Sequence, residues 1–350
     1  MSFFPPPAQK RTVPGAGKTS AKIAIVGDYT NNFDDRALLP FQGPPGTVLE
    51  QCIHGAGLIK GELYLTTVFK SKSSMKSTKK DGLAPDFFSE STGRFTAEGL
   101  AHVDRLIQEI NGLDANVIVA CGKAAFAALC GSAKLHAYRG YVFPSKGTAR
   151  VRKVIPTHAP GNASYTNYTY RHMMIADLKK AKIQSYMPEL IRPERQLIYN
   201  YATVEEALNW LEYYENQDIV SFDIEVINFE VACISFSSTP DIGCVIPLGE
   251  TVFRPQGWTE DEEVLIWRAI QRVVGNPKSE KVLQNAIFDI QFMLANIGLI
   301  VRGNIRDTMI AHSVMYPELP KGLGFLGSIY CGAQEYWKDT VKFENIKDES

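Results

Sequence analysis

In "VSFDIEVINFEVACISFSS", residues 220–238, Asp223 and Glu225 stand two apart in an otherwise apolar run. The segment reads as two buried strands joined by a turn. Side chains at i and i+2 of a strand point the same way, so both carboxylates share one face. Two unpaired carboxylates buried together are very costly, and one would ordinarily protonate. A divalent cation removes that cost, and an oxygen-only donor set suits Mg²⁺ or Mn²⁺. Taken alone, the pair reads more simply as an edge strand with a solvated face. It does not stand alone: in "LQNAIFDIQFML", Asn285 and Asp289 are four apart, one helical turn, and so face one way. Asp307 then leads the helical stretch "DTMIAHSVMY", and a Pro/Gly break and a second amphipathic stretch follow.

The elements that must position these residues alternate between strand and helix. "AKIAIVGDYT" is a buried strand ending in a Gly turn, "GTVLEQCIHGAGL" a helix and "GELYLTTVF" a strand. "TAEGLAHVDRLIQEING" has an apolar stripe at helical spacing behind a Thr cap. "ANVIVACG" is a strand, "KAAFAALCG" a helix, and "ARVRKVIPTHAPG" a strand running into a turn. This alternation predicts an α/β layer fold with a parallel sheet. Two prolines and mixed charge mark residues 187–196 as a linker. A second series follows: "QLIYNYA" (strand), "TVEEALNWLEYYENQ" (helix), the acidic strand, and the long helix "TEDEEVLIWRAIQRVVG". The expected layout is a loose arm at 1–20, one domain at 21–186, and a second at 197–350.

From about residue 196 onward, the order of DxE strand, NxxxD helix and DTM with a Leu-patterned helix resembles the 3′–5′ proofreading exonuclease of family A DNA polymerases. That domain belongs to the DEDD class and has a ribonuclease H-like fold with a mixed sheet. The resemblance implies a two-metal phosphodiesterase at a DNA 3′ end, with Asp223, Glu225 and Asp289 as ligands of Mg²⁺ or Mn²⁺. One ion would generate the attacking hydroxide and the other would stabilise the leaving 3′ oxygen. It also implies that Asn285 helps place the substrate strand. Leu283 and Phe288 read as core rather than base wedges, and Asp307 as a helix cap. The family's third motif, a Tyr with an Asp four residues later, has no counterpart. Tyr330 is followed at that distance by Gln334, while Asp339 and Asp348 lack the Tyr. With three of the four carboxylates the two-ion site is incomplete, and weak nuclease activity is expected. The chain reads as the leading part of a longer or split polymerase.

Over residues 22–183, "KIAIVGDYT", "LLPFQGPPG", "GELYLTTVFKSKS", "YRGYVF" and "VIPTHAPGN" occur in an order similar to the uracil-DNA glycosylase superfamily, closest to family 4. That likeness implies a three-layer α/β/α domain with a parallel sheet and a slot for an extruded base. Some tailed-phage family A polymerases resemble this fusion. Phe41 matches the aromatic that stacks on the base, Asp28 stands where the family has a water-handling Glu, and His158 matches the His that reaches the base. Arg139 and Gly140 match an Arg–Gly pair. The sequence departs at three places. Thr30 and Asn31 replace a Pro–Gly, and Thr67 replaces the Asn that reads the base edge. Ser71 stands where a cluster cysteine would sit, so no iron–sulfur cluster is expected. Lys70, Lys72, Lys76, Lys79 and Lys80 form a basic loop read as a phosphate contact. Asp34 and Asp35 read as a loop pair without a role.

The charge balance separates the halves. Residues 1–190 carry 24 Lys and Arg against 14 Asp and Glu, and residues 191–350 carry 13 against 24. A basic first half suits phosphates, and an acidic second half meets them only around bound cations. The sequence shows no membrane span, signal peptide or CxxC pair, which favours a cytoplasmic setting, the bacterial host's if the chain is phage-encoded. "VPGAGKTS" is not a phosphate-binding loop, because Thr12 occupies its first Gly position and a strand follows it. The expected partner is DNA, single-stranded or at a 3′ end, with a separate or downstream polymerase domain. Two other functions fit: an active uracil-DNA glycosylase, or a tethering module with both sites degenerate.

Overall fold

The computed structural model describes residues 12–71, 75–78, 82–85, 87–199, 203–250, 256–332 and 336. The chain divides into two compact units. One runs up to Arg192 and resumes at Gly324, and the other is Pro193–Leu323. By sequence the second domain was expected to continue to residue 350.

The first unit begins with β1 (Ile23–Tyr29), α1 (Asn32–Ala37), α2 (Gly43–Gly55) and β2 (Tyr64–Phe69). Two short hairpins follow, β3 (Met75–Thr78) with β4 (Gly82–Pro85), and β5 (Phe88–Ser89) with β6 (Arg94–Phe95). Next come α3 (Ala97–Asn111), β7 (Val117–Cys121), α4 (Lys123–Cys130) and α5 (Leu135–Tyr138). The series closes with β8 (Phe143–Pro144), β9 (Lys153–Thr157), α6 (Pro160–Tyr165) and α7 (Tyr170–Gln184). The sheet order is β2-β1-β7-β9-β8, parallel except for β8. Its central strands are buried on both faces, which explains their near-continuous apolar runs. Residues 12–20, read as part of a loose arm, are held to β2: Ala16 and Leu65 exchange both backbone bonds, and Val13 N donates to Lys70 O at 2.8 Å.

The second unit contains β10 (Gln196–Tyr199), α8 (Val204–Glu215), β11 (Ile219–Ile227), β12 (Glu230–Ser237) and β13 (Ile242–Pro247). It continues with α9 (Glu260–Val274), β14 (Glu280–Leu283), α10 (Ala286–Phe292), β15 (Ile305–Asp307) and α11 (Thr308–Met315). The sheet order is β10-β13-β12-β11-β14-β15. The β11–β12 and β12–β13 pairs are antiparallel and the others parallel, so the sheet is mixed. Its core gathers Leu211, Tyr214, Phe222, Ile234, Phe236 and Ile270. The last helix, α12 (Leu323–Tyr330), lies within the first unit from Gly324 on.

The strands of 220–238 are half-buried rather than buried. Along β11, Val220, Phe222 and Ile224 face the core, while Ser221, Asp223 and Glu225 face out. The period of two holds, and the carboxylates stay on the wet face because the core needs only one side of this strand.

Candidate functional site

In the first unit the parallel strands end at one edge and bring separate segments together there. Asp28 stands near the end of β1, Gly122 follows β7, and His158 follows β9. Such strand ends, with helix N-termini beside them, are where open α/β sheets bind ligands. They line a cleft of about 1360 Å³ that also includes Phe41, Tyr29, Asn162 and Tyr170.

Asp28 is set beneath the start of α4, where its Oδ1 accepts from Ala125 N at 2.8 Å. Gly122, at φ 118°, leaves room for that carboxylate, which a Cβ there would meet at 2.1 Å. Burial pushes the Asp28 carboxyl up to about 7, with the Glu90 charge adding to the rise and backbone N–H groups opposing it. His158 is buried and stacks flat on Tyr170, ring centroids 3.8 Å apart. Burial, with the charges of Arg139 and His136, lowers its imidazole to about 3, so it is neutral at physiological pH. The cleft thus offers a carboxyl poised near neutrality, a neutral imidazole, and the aromatic face of Phe41.

Phe41 adopts φ 56° and is buried against β1, where a Cβ on Gly27 would meet its ring at 2.8 Å. The turn that presents it is built by residues the sequence left without a role. Asn31 caps α1 by accepting from Phe33 N and Asp34 N, and Asp34 returns a bond from Asn31 N. Asp34 also accepts from Gln42 N at 2.5 Å, which ties down the residue after Phe41. The Asn–x–x–Asp spacing resembles a capping box and was the available signal. Asp34 and Asn31 are therefore structural, in place of the Pro–Gly turn.

Three other expected substrate contacts lie off the cleft. Thr67 is buried in β2, where its hydroxyl donates to Phe69 O at 3.2 Å. Arg139 is buried and ion-paired with Asp177 at 2.5 Å. Lys70 is buried and paired with Glu109 at 2.8 Å, inside a cluster with Tyr64, Thr66 and Arg105. A lysine one residue beyond a buried strand can fold back onto a carboxylate instead of reaching solvent, and Lys70 does. Lys72, Lys79 and Lys80 lie outside the described residues, as do Gln334, Asp339 and Asp348. Lys76 lies on β3.

In the second unit Asp223 and Glu225 share the exposed face of β11. Asp289, buried on α10, accepts through Oδ1 from Ile224 N at 3.1 Å, which seats it against the same strand. Partial enclosure, then the Asp289 and Glu225 charges, push Asp223 up to about 6. Burial and the charges of Glu225 and Asp307 raise Asp289 as well. These carboxylates share one electrostatic neighbourhood. Asn285 does not share a helical face with Asp289: it precedes α10 in the left-handed conformation at φ 61°, exposed. The chain turns sharply there between β14 and α10, and Asn tolerates that conformation better than most residues. Asp307 caps α11 through Met309 N and Ile310 N and also accepts from Asn285 N and Ala286 N. Leu283 is core, whereas Phe288 is 48% exposed on α10.

The chemistry of this donor set fits a hard divalent cation, since oxygen ligands that repel one another are what such an ion relieves. The spacing is not a finished cage: among the described residues no three His, Cys, Asp or Glu side chains are grouped to hold an ion. Among them, too, no helix is long and apolar enough to cross a membrane.

Two family descriptions match the chain, the uracil DNA glycosylase superfamily over residues 14–182 and 3′–5′ exonuclease over residues 198–345. A type-4 uracil-DNA glycosylase of Pyrobaculum aerophilum is 31% identical over 64 residues, covering 18% of this chain and 33% of that protein. The match thus spans a third of that curated relative's length. Among solved structures, the catalytic core of RRP6 from Trypanosoma brucei is 20% identical, with a TM-score of 0.31 and coverage of 39% and 35% of the two chains. Escherichia coli RNase D, an exoribonuclease involved in structured RNA processing, is 15% identical, with a TM-score of 0.30 and coverage of 42% and 36%. The chain carries a domain of the uracil DNA glycosylase superfamily, followed by a 3′–5′ exonuclease domain.

Proposed function

We propose that the chain is part of a DNA replication protein, the proofreading 3′–5′ exonuclease region of a phage-type family A DNA polymerase preceded by a glycosylase-like DNA-binding domain. The observation that carries this reading is the seating of Asp289, through Ile224 N at 3.1 Å, against the strand that carries Asp223 and Glu225, where partial enclosure and then the Asp289 and Glu225 charges lift Asp223 to about 6. These three residues would hold Mg²⁺ or Mn²⁺, which when bound supplies an activated water and stabilises the departing 3′ oxygen. Asp289 also ties α10 to the backbone of β11 through Ile224, which fixes the distance between the acidic strand and the helix. Asp307 holds the turn that presents Asn285. A polymerase domain, downstream or separately encoded, is the expected partner.

The test is shortening of a 5′-labelled single-stranded DNA from its 3′ end by the full chain in Mn²⁺. Slow shortening that disappears in Asp223→Asn supports the reading. Shortening that persists in that variant overturns it, as does none at all with Mn²⁺ at millimolar concentration.

The cleft supports a second reading, removal of uracil from DNA. Phe41 would stack on an extruded base, neutral His158 would hydrogen-bond it, and Asp28, near its titration point at neutral pH, would orient water and balance the charge developing on the sugar. Release of free uracil from a single-stranded oligonucleotide, lost in Asp28→Asn, tests it. If uracil is not released and no 3′ end is shortened, salt-sensitive DNA binding alone would leave the tethering module as the function.

A further inference from the structure

Behind the cleft wall that carries His158 lies a buried polar network that neither reading uses. Thr157, the neighbour of His158, donates through Oγ1 to Asp177 Oδ2 at 2.6 Å. Asp177 Oδ1 accepts from Arg139 Nη1 at 2.5 Å, and all three residues are 2% exposed or less. Arg139 Nη2 in turn donates to Ser328 Oγ of α12, and its guanidinium carbon lies 4.8 Å from the centroid of the Phe325 ring. Lys180 Nζ donates to Gly140 O at 2.7 Å and to Ser328 O at 2.6 Å. Tyr141 donates its hydroxyl proton to Gly324 O at 2.7 Å. Gly140, at φ 77°, permits this approach, because a Cβ there would lie 2.7 Å from Asp177 Oδ1 and 2.8 Å from Ser328 O.

A helix that merely rested on a surface would offer apolar contact. This one supplies acceptors to two buried cations, Arg139 and Lys180, whose hydrogen-bonding capacity the rest of the network does not fill. The match of residues 198–345 to the exonuclease family counts these residues with the other domain. The contacts place them in the first unit.

We propose that residues 324–330 are a working part of the glycosylase-like unit, with Ser328 a positioning residue that steadies His158 through Arg139, Asp177 and Thr157. The proposal rests on the reading of the cleft as the base site. Its claim about positioning can be measured whether or not a base is released.

Hydrogen–deuterium exchange on the full chain makes that measurement. In Ser328→Ala, residues 139–141 and 157–159 should exchange about tenfold faster, while β2 and α3, in the same unit but outside the network, keep their rates. Tyr141→Phe, which removes only the bond to Gly324 O, should accelerate the same segments about threefold. Unchanged exchange at 157–159 in both variants overturns the proposal, as does uniform acceleration through the unit. If the unaltered chain releases uracil, Ser328→Ala should lower kcat more than it raises KM, and an unchanged kcat overturns the role. If it releases none while the exchange pattern appears, the catalytic reading of the cleft fails and the positioning role stands.

Discussion

In the first unit a carboxylate is enclosed, and in the second, carboxylates are crowded. Asp28 sits under the first turn of α4 with a backbone N–H bonded to it, and its raised titration comes chiefly from loss of water. Asp223 stands on an outer strand face; partial enclosure raises it most, and the charges of Asp289 and Glu225 add to the rise. A carboxyl raised by enclosure is poised to hold or move a proton with no added ion. One that is enclosed and also faces like charges, as Asp223 does, is poised to be neutralised from outside, by protons or by a cation. Similar displacements of two aspartates thus point to different chemistry.

The sharpest way to break that contrast is pH. Asp28 moves from an ordinary 3.8 to about 7, so between those values the folded chain holds a proton that the unfolded chain has released. Its contribution to stability is complete below pH 4 and is lost as pH rises through 7, up to about 4 kcal/mol. Urea melts of the full chain should show the first unit weakening over that range. Asp28→Asn should flatten the slope, and an identical slope in that variant would mean that Asp28 is not enclosed as described. The same substitution should reduce any uracil release about a hundredfold.

Asp289→Asn should lower Mn²⁺-dependent 3′ shortening about a hundredfold, because the carboxylate proposed to hold the ion becomes a neutral amide. It keeps the oxygen that accepts from Ile224 but removes a charge that raises Asp223. Asp223 should therefore titrate below 6 in a carboxyl-carbon NMR titration. A titration that does not move would show that the two do not interact.

Two smaller effects sharpen the boundary between scaffold and site. Lys70→Met should destabilise the first unit by about 2 kcal/mol in thermal or urea melts, with DNA affinity unchanged, because its ammonium is engaged by Glu109. Weakened DNA binding would restore the phosphate-contact reading. Asp307→Ala should cost the second unit about 1 kcal/mol through the lost α11 cap, read from its unfolding transition.

The alternation of strands and helices was legible because buried parallel strands are apolar throughout and helices carry an apolar stripe. Thr96 caps α3 where the sequence put a Thr cap, and Thr203 and Thr259 cap α8 and α9 in the same way. Asp223 and Glu225 were legible as a pair because the strand period fixes their shared side. Whether that side was wet was not, since it depends on which face the helices cover. The fates of Lys70, Thr67 and Arg139 were hidden for a related reason. Each carries a group that either solvent or a distant residue can satisfy, and Glu109, the Phe69 carbonyl and Asp177 are distant in sequence or backbone groups without a sequence signature. Asn285 misled because a spacing of four implies a shared face only inside a helix, and it stands just outside one. The Asn31–Asp34 cap has a sequence signal, the Asn–x–x–Asp spacing.

The β11–β12 pairing slips just past Glu225: Glu225 faces Cys233, but Val226 faces Val231, so Ala232 is an extra residue on the second strand. Its carbonyl is taken instead by Leu248 N and Gly249 N. Beyond the slip the hairpin turns on Asn228 and Phe229, both at positive φ, with Phe229 89% exposed. That irregularity acts as a mechanical fuse. Lengthening or exchanging the loop tip will be absorbed at Ala232 before it is felt at the acidic pair, so the tip is the natural place to graft a tag or a new recognition loop without disturbing the carboxylates.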